Sequence, residues 1–98
     1  MATVNKTSQA EADIAGAITY LLGQNTVAAE RFVTDLQSLV RRLERFPELY
    51  PLQRRSTKPE WKNVRMAVLQ RFGQLVFYTY ENNIVIIRRV IHGARNEP

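Results

Sequence analysis

The first half of the chain places apolar residues at helical spacing. Ile14, Ala17, Ile18, Leu21 and Leu22 form one stripe with the period of an α-helix. A longer stripe with the same period consists of Ala29, Phe32, Val33, Leu36, Leu39, Val40, Leu43 and Phe46. A short polar link joins the two stripes, so we expect two helices in an antiparallel hairpin.

Residue types at the ends of these stripes predict where each helix begins and ends. The stretch from Ser8 to Glu11 has the pattern of a capping box, which predicts a helix start at Ser8. Gly23 is expected to end the first helix in the left-handed conformation. Asn25 or Thr26 can cap the second helix. Pro47 is expected to stop it, because the residue before a proline avoids the helical region.

The second half changes to the pattern of β-strands. Residues 63–70 alternate in polarity, and residues 75–80 and 84–91 are rich in β-branched and aromatic residues. Gly73 marks the first turn, and Asn82–Asn83 is a pair that accepts positive φ in a two-residue hairpin. These features predict a three-stranded antiparallel meander.

The predicted elements define the fold class. A helix hairpin with apolar stripes covers one face of a sheet, so we expect an α+β fold in which the hairpin packs on a three- to four-stranded antiparallel sheet. Residues 3–6 would supply the fourth strand, although Val4 is the one apolar residue there. A chain of 98 residues with no internal repeat is expected to form a single domain, residues 1–98.

The last predicted strand is apolar on both faces, with one arginine on each. Strict alternation puts Ile84, Ile86, Arg88 and Val90 on one face and Val85, Ile87, Arg89 and Ile91 on the other. Because an exposed outer face should be polar, we interpret the second face as a binding surface. The alternative is that the long loop of residues 47–62 folds over it.

The positive charge is concentrated in the second half. The net charge is +5, and residues 1–46 contain five basic and five acidic residues, so the whole excess lies after Phe46. Clustered positive charge attracts polyanions or acidic proteins, although a solvated basic face also keeps a protein soluble. We expect an acidic, partly disordered peptide as a partner.

Little reaction chemistry is available. There is no cysteine, Gly-rich phosphate loop or metal-ligand spacing, so we expect no cofactor and no metal. His92 is the single histidine, and with Arg65, Arg95 and Tyr78 it could perform metal-independent RNA cleavage. Alternatively, His92 is simply a packed or exposed residue. Trp61 could stack on a base or pin the loop to the sheet.

Several segments, in order along nearly the whole chain, resemble the ParE branch of the ParE/RelE toxin superfamily. They are residues 10–14, 28–32, 45–49, 64–65 and 75–78 and, most specifically, the closing Arg89-Val90-Ile91-His92-Gly93-Ala94-Arg95-Asn96. The family's usual first strand is nearly absent here, and Gly73-Gln74 replaces its usual Pro-Tyr or Tyr-Arg. The resemblance implies a bacterial type II toxin of the plasmid-stabilisation kind, with a cognate antitoxin as its partner.

The branch determines the expected target. ParE-like members are associated with inhibition of DNA gyrase, and RelE-like members cleave mRNA in the ribosome. Met66 and Gln74 stand where basic residues would favour the RelE-like activity, so the resemblance favours a gyrase inhibitor with no catalytic residues. The alternatives are a ribonuclease and an inactive relic that still binds its antitoxin. The expected target-binding residues are Arg65, Arg71, Arg88, Arg89, His92 and Arg95.

The remaining expectations concern assembly and location. A homodimer and a hetero-oligomer with the antitoxin are both compatible with the resemblance, and direct nucleic-acid binding stays open. The first 13 residues lack the basic and apolar regions of a secretory signal, and no apolar run is long enough to cross a membrane. We therefore expect a cytoplasmic protein without a membrane segment.

Overall fold

A computed structural model describes residues 1–53 and 62–93. In chain order the elements are β1 (Thr3–Lys6), α1 (Ser8–Gln24), α2 (Thr26–Arg45), β2 (Arg65–Leu69), β3 (Gln74–Glu81) and β4 (Ile84–His92). The helix hairpin packs on one face of the sheet, which confirms the predicted α+β class. Within the described ranges, neither helix combines the length and apolar character that a membrane span requires.

The strand order in the sheet is β1-β4-β3-β2. The last three strands form the expected antiparallel meander, and Asn82 and Asn83 turn its second hairpin at φ 53° and 63°. The predicted additional strand at residues 3–6 is present as β1, but it pairs with β4 in parallel, whereas an antiparallel sheet was predicted. The sheet is therefore mixed at this edge. The connection from β1 to β4 includes both helices and the β2–β3 hairpin, and a parallel pair requires such a long crossover.

The helix ends differ in detail from the sequence prediction. Thr7 caps α1, since its Oγ1 accepts a hydrogen bond of 3.0 Å from the Ala10 N–H, and Ser8 is the first helical residue. Gly23 does not end α1, which continues to Gln24 and is followed by Asn25 in an extended conformation. The Asn25 side chain then caps α2 as expected, accepting from Val27 N–H at 2.7 Å. Asn25 thus serves both helices, and no left-handed glycine is needed.

The main core lies between the helix hairpin and the sheet. Phe32, Leu39 and Leu43 of α2 are fully buried against strand residues such as Val76 and Ile87. The α1 stripe is only half-buried, and Ala10 is the one fully buried residue of α1. Two residues predicted for the stripes lie outside this core, since Leu22 is 53% exposed and Phe46, which follows the end of α2, is 58% exposed.

Two glycines, one inside α1 and one in the turn between β2 and β3, differ in whether they tolerate a side chain. Gly16 lies inside α1 and has no atom within 4 Å of an added Cβ, whereas Gly73 has φ +65°. Gly16→Ala should raise the free energy of unfolding by about 0.5–1 kcal/mol, because alanine restricts the unfolded chain without a clash. Gly73→Ala should lower it by about 1–2 kcal/mol, because Cβ strains a left-handed residue. Urea unfolding of both variants checks these signs, and a destabilised Gly16→Ala protein would contradict the open helix face.

Candidate interaction surface

The sheet face turned away from the helices, here called the outer face, was expected to be open and apolar. Instead Val64, Phe77 and Ile91 are buried there, at 0%, 1% and 5% exposure, with Met66 and Leu75 packed against them. Only the ends of this face leave a large apolar side chain exposed among the described residues, namely Val68 and Ile84. Most of the apolar surface of this face is therefore covered within the chain, and its role as a binding surface stays a prediction.

Part of the loop after α2 accounts for some of this cover. Leu52 forms a β-bridge with Arg65, and Gln53 N–H donates to the Val64 carbonyl at 2.6 Å. The Gln53 side chain also donates to Met66 Sδ at 3.6 Å. The loop's beginning thus pairs with the outer edge of β2, and the alternative interpretation, in which the whole loop folds over this face, stays a prediction. Residues 54–61, which include Trp61, lie outside the described residues.

A β-bulge in β4 changes the direction of the two arginines. Phe77 pairs with Arg89 and Tyr78 pairs with Ile87, so Arg88 is the extra residue. After the bulge, the alternation of side chains between the two faces of the sheet shifts by one residue, so Val90 lies in the main core together with Ile87. Arg88 and Arg89 therefore do not lie on opposite faces as predicted from strict alternation. Arg88 is exposed and donates from Nε to Thr79 Oγ1 at 3.3 Å.

Three of the predicted target-binding arginines form ion pairs within the chain. Arg71 Nε lies 3.1 Å from Asp35 Oδ2 on α2, and Arg89 Nε lies 2.8 Å from Asp13 Oδ2 on α1. Arg65 lies 3.4 Å from Glu48 Oε2 in the turn after α2. Each pair joins the sheet or its turns to another part of the fold, so these arginines have structural contacts in addition to any contact with a target.

Arg65 and Tyr78 hold the turn that follows α2. Arg65 Nη1 donates to the carbonyls of Tyr50 at 2.8 Å and Glu48 at 3.2 Å. The Tyr78 hydroxyl, on a fully buried residue, donates to the Pro47 carbonyl at 2.8 Å. Burial raises the pKa of Tyr78 above its usual value, although the nearby Arg65 charge opposes the shift. A neutral, buried phenol suits a structural donor.

A cationic cleft of about 420 Å³ opens beside Arg88. Its lining includes three basic residues, Lys62, Arg65 and Arg88, together with one acidic residue, Glu81. Lys62 was not singled out from the sequence, because it follows a loop whose path no periodic pattern predicts. Excess positive charge in a concave surface favours acidic groups of a partner.

His92 lies apart from the buried Tyr78. It is exposed at the end of β4, in a cleft of about 600 Å³ whose lining also includes Gly16 and Tyr20 of α1. Gln74 is the cross-strand partner of His92, and Tyr78 is four residues further along β3, roughly 13 Å away. The structure therefore brings Arg65 and Tyr78 together but keeps His92 apart from them. Arg95 lies outside the described residues.

Comparison with known proteins identifies the family. The family model described as "ParE toxin of type II toxin-antitoxin system, parDE" matches residues 4–97. The chain belongs to the ParE toxin family. This confirms the resemblance inferred from the sequence.

A solved structure shares the fold of this ParE chain. A chain of the chromosomal ParDE toxin–antitoxin system from P. aeruginosa is similar with a TM-score of 0.74 and 20% identity, covering 94% of this chain and 96% of that chain. The conserved hypothetical protein HP0894 from Helicobacter pylori has 17% identity and a TM-score of 0.47, covering 99% of this chain and 100% of that one, a likeness too low to support inference. No curated protein sequence gives a significant match.

In this ParE chain, Asp13 is the acidic residue most closely bound to the sheet. Its carboxylate accepts from Arg89 Nε at 2.8 Å, from Arg89 Nη2 at 3.3 Å and from the Val90 N–H at 2.9 Å. Burial alone would raise the pKa of Asp13, but the hydrogen bonds from Arg89, Val90 and Gln9 outweigh it and hold the pKa below the usual 3.8. The charged form of Asp13 is therefore the form that stabilises the fold.

Asp13 should make folding stability depend on acid pH. Because its pKa is lower in the folded chain, its contribution is complete above the unfolded pKa of about 3.9 and is lost as the pH falls through the folded value. Asp13→Asn should lower the free energy of unfolding by about 1–3 kcal/mol at pH 7 and flatten its decline below pH 4. Denaturant unfolding between pH 2 and 7 measures both effects. Asp35→Asn, in the more exposed pair with Arg71, should cost less than about 1 kcal/mol at pH 7.

Proposed function

We propose that this ParE chain is a toxin that inhibits DNA gyrase and is neutralised by a cognate antitoxin. The observation that carries the proposal is the family match over residues 4–97, which leaves almost no part of the chain unassigned. A type II toxin pairs with a protein antitoxin, and the excess positive charge after Phe46 suits an acidic antitoxin segment. On this proposal the chain acts by binding, in the cytoplasm, without a cofactor.

The arrangement of the ribonuclease candidates supports a binding function over RNA cleavage. General acid–base catalysis requires the catalytic groups to lie within hydrogen-bond reach of the same reacting atoms. Tyr78 is buried with its hydroxyl bonded to Pro47, and His92 lies in a separate cleft. Among the residues that the structure describes, Arg65 and Tyr78 lie together but both hold the turn after α2, and His92 lies apart from them.

The exposed basic residues are the best candidates for contact with the target. The exposed Arg88 side chain lines the cationic cleft and donates to Thr79 Oγ1, and His92 is exposed at the end of the same strand. Arg95 belongs to the same predicted set. We propose that these residues contact gyrase, and that Arg65, Arg71 and Arg89 mainly stabilise the fold through their ion pairs.

Substitution of His92 separates the two activities. In a ribonuclease, His92→Ala should reduce RNA cleavage by about 10²–10⁴-fold, because a proton-transfer group is lost. In a gyrase inhibitor the same change removes one contact, so inhibition of supercoiling should weaken by a graded factor, about tenfold or less. We expect the graded loss for His92→Ala and for Arg95→Ala, and no RNA cleavage by the parent chain.

Both assays use the same purified proteins, with purified gyrase for supercoiling and with translating ribosomes for mRNA cleavage. Controlled expression adds a cellular measurement, in which DNA breaks and the SOS response are scored against immediate translation arrest. Site-specific mRNA cuts that disappear in His92→Ala would contradict the proposal and favour the ribonuclease.

Arg88 provides a test of the contact surface itself. Arg88→Ala should weaken gyrase inhibition at least about fivefold, because an exposed cation beside the cleft is removed. The thermal midpoint should change little, since Arg88 is exposed and outside the three ion pairs. Arg31→Ala, an equally charged exposed position on α2, is the control and should inhibit like the parent. Equal inhibition by the Arg88 and Arg31 variants would remove Arg88 from the proposed surface.

A further inference from the structure

The turn of residues 46–49, at the end of α2, is held firmly by its backbone. The Leu49 N–H donates to the Phe46 carbonyl at 3.1 Å, and the Phe46 N–H donates to the Arg42 carbonyl at 2.8 Å. The carbonyl of Pro47 accepts from buried Tyr78, and that of Glu48 accepts from Arg65. Both ends of the turn are thus fixed by the helix and the sheet.

Two apolar side chains of the same turn do not pack in the core. Phe46 is 58% exposed and Leu49 is 55% exposed, although each carries a large apolar side chain. Phe46 also lines a shallow cleft of about 430 Å³ at the end of α2. A rigid backbone that presents apolar side chains to solvent loses little conformational entropy when a partner covers them.

Arginines surround this apolar turn. Arg41, Arg42 and Arg45 are exposed on the last turns of α2 and line the cleft together with Phe46, Met1 and one acidic residue, Glu44. Three positive charges against one negative charge leave the cleft cationic. The Arg42 guanidinium donates to the Tyr50 hydroxyl and that of Arg41 to Ser38 Oγ, so neither bond neutralises a charge. Among the described residues, none of these three arginines forms an ion pair with a carboxylate. The α2 dipole favours cations here, but it gives no reason for the apolar side chains between them.

We propose that the 46–49 turn and the three arginines form a docking surface for an acidic segment of the antitoxin that also carries an apolar anchor residue. The identity of the partner rests on the proposed function; its chemistry rests on the charges and the exposed side chains at this site. Carboxylates of the segment would pair with the arginines while its apolar residue covers Phe46 and Leu49. The surface lies at the end of α2, away from the cleft that contains His92.

The arrangement disfavours the other occupants of such a surface. A second copy of the chain would bring three more arginines against these three, which costs energy through like-charge repulsion. A nucleic-acid backbone would pair with the arginines but would leave the two apolar side chains unused. An acidic peptide with an apolar anchor satisfies both features.

The test measures binding of the purified chain to the antitoxin encoded by the adjoining gene. Phe46→Ser with Leu49→Ser should weaken binding about tenfold or more through faster dissociation, since it removes both apolar contacts. Arg41→Glu with Arg45→Glu should also weaken it about tenfold or more, mainly through slower association, and should reduce the dependence of the association rate on salt. Circular dichroism and thermal unfolding show that each variant folds.

Matched controls lie elsewhere on the same chain. Leu22→Ser with Val27→Ser removes two apolar side chains of similar exposure, 53% and 50%, at the opposite end of the hairpin. Arg31→Glu with Lys6→Glu changes the net charge by the same amount as the arginine variant, and Arg31 lies roughly 21 Å from Arg45 along α2. Both controls should bind within about twofold of the parent.

The outcomes distinguish this inference from the proposed function. A parent chain that does not bind the antitoxin overturns the proposed partnership and the docking surface with it. A parent that binds, with the 46–49 and arginine variants binding equally well, overturns the docking surface alone. The same holds if the two charge-reversal variants weaken binding equally, since net charge rather than position would then be responsible.

Discussion

The contact between Asp13 and the end of β4 is the interaction on which the arrangement of this fold depends most. The β1 strand covers the edge of β4 only as far as Ile87, so the N–H of Val90 would otherwise lack a partner at that edge. Asp13 accepts from Val90 and from Arg89, and thereby fastens α1 to the sheet. Ile14, Ala17, Ile18 and Leu21 of α1 also pack against the main core, so this polar contact and hydrophobic packing together place the helix.

The bulge at Arg88 links this contact to the proposed target-binding surface. The extra residue directs Val90 into the main core, allows Arg89 to reach Asp13 and leaves Arg88 exposed beside the cationic cleft. One irregularity in a strand thus divides two adjacent arginines between a structural role and a role available for binding. β-bulges commonly redirect side chains in this way.

The two ends of the molecule differ in how they meet solvent. At one end, the cleft that contains His92 is lined largely by small and apolar residues, such as Gly16 and Ala17 of α1. At the other, the 46–49 turn presents two apolar side chains within a group of arginines. The two surfaces therefore combine apolar and charged groups differently, which suits contacts of different chemistry.

The sequence by itself determined the elements and their class. Helical spacing from Ile14 to Leu43, the Asn82–Asn83 turn and the strand residues specify the hairpin and the meander, because these signals are local in the chain. The ParE family was also visible in the closing segment that contains His92. Only the tertiary structure decided the cap at Thr7, the parallel pairing of β1, the bulge at Arg88, and the exposure of Phe46. These features depend on residues distant in sequence, such as Asp13, which accepts a hydrogen bond from the Val90 N–H. A local sequence pattern does not indicate which distant group will bond to an edge N–H or cover a side chain.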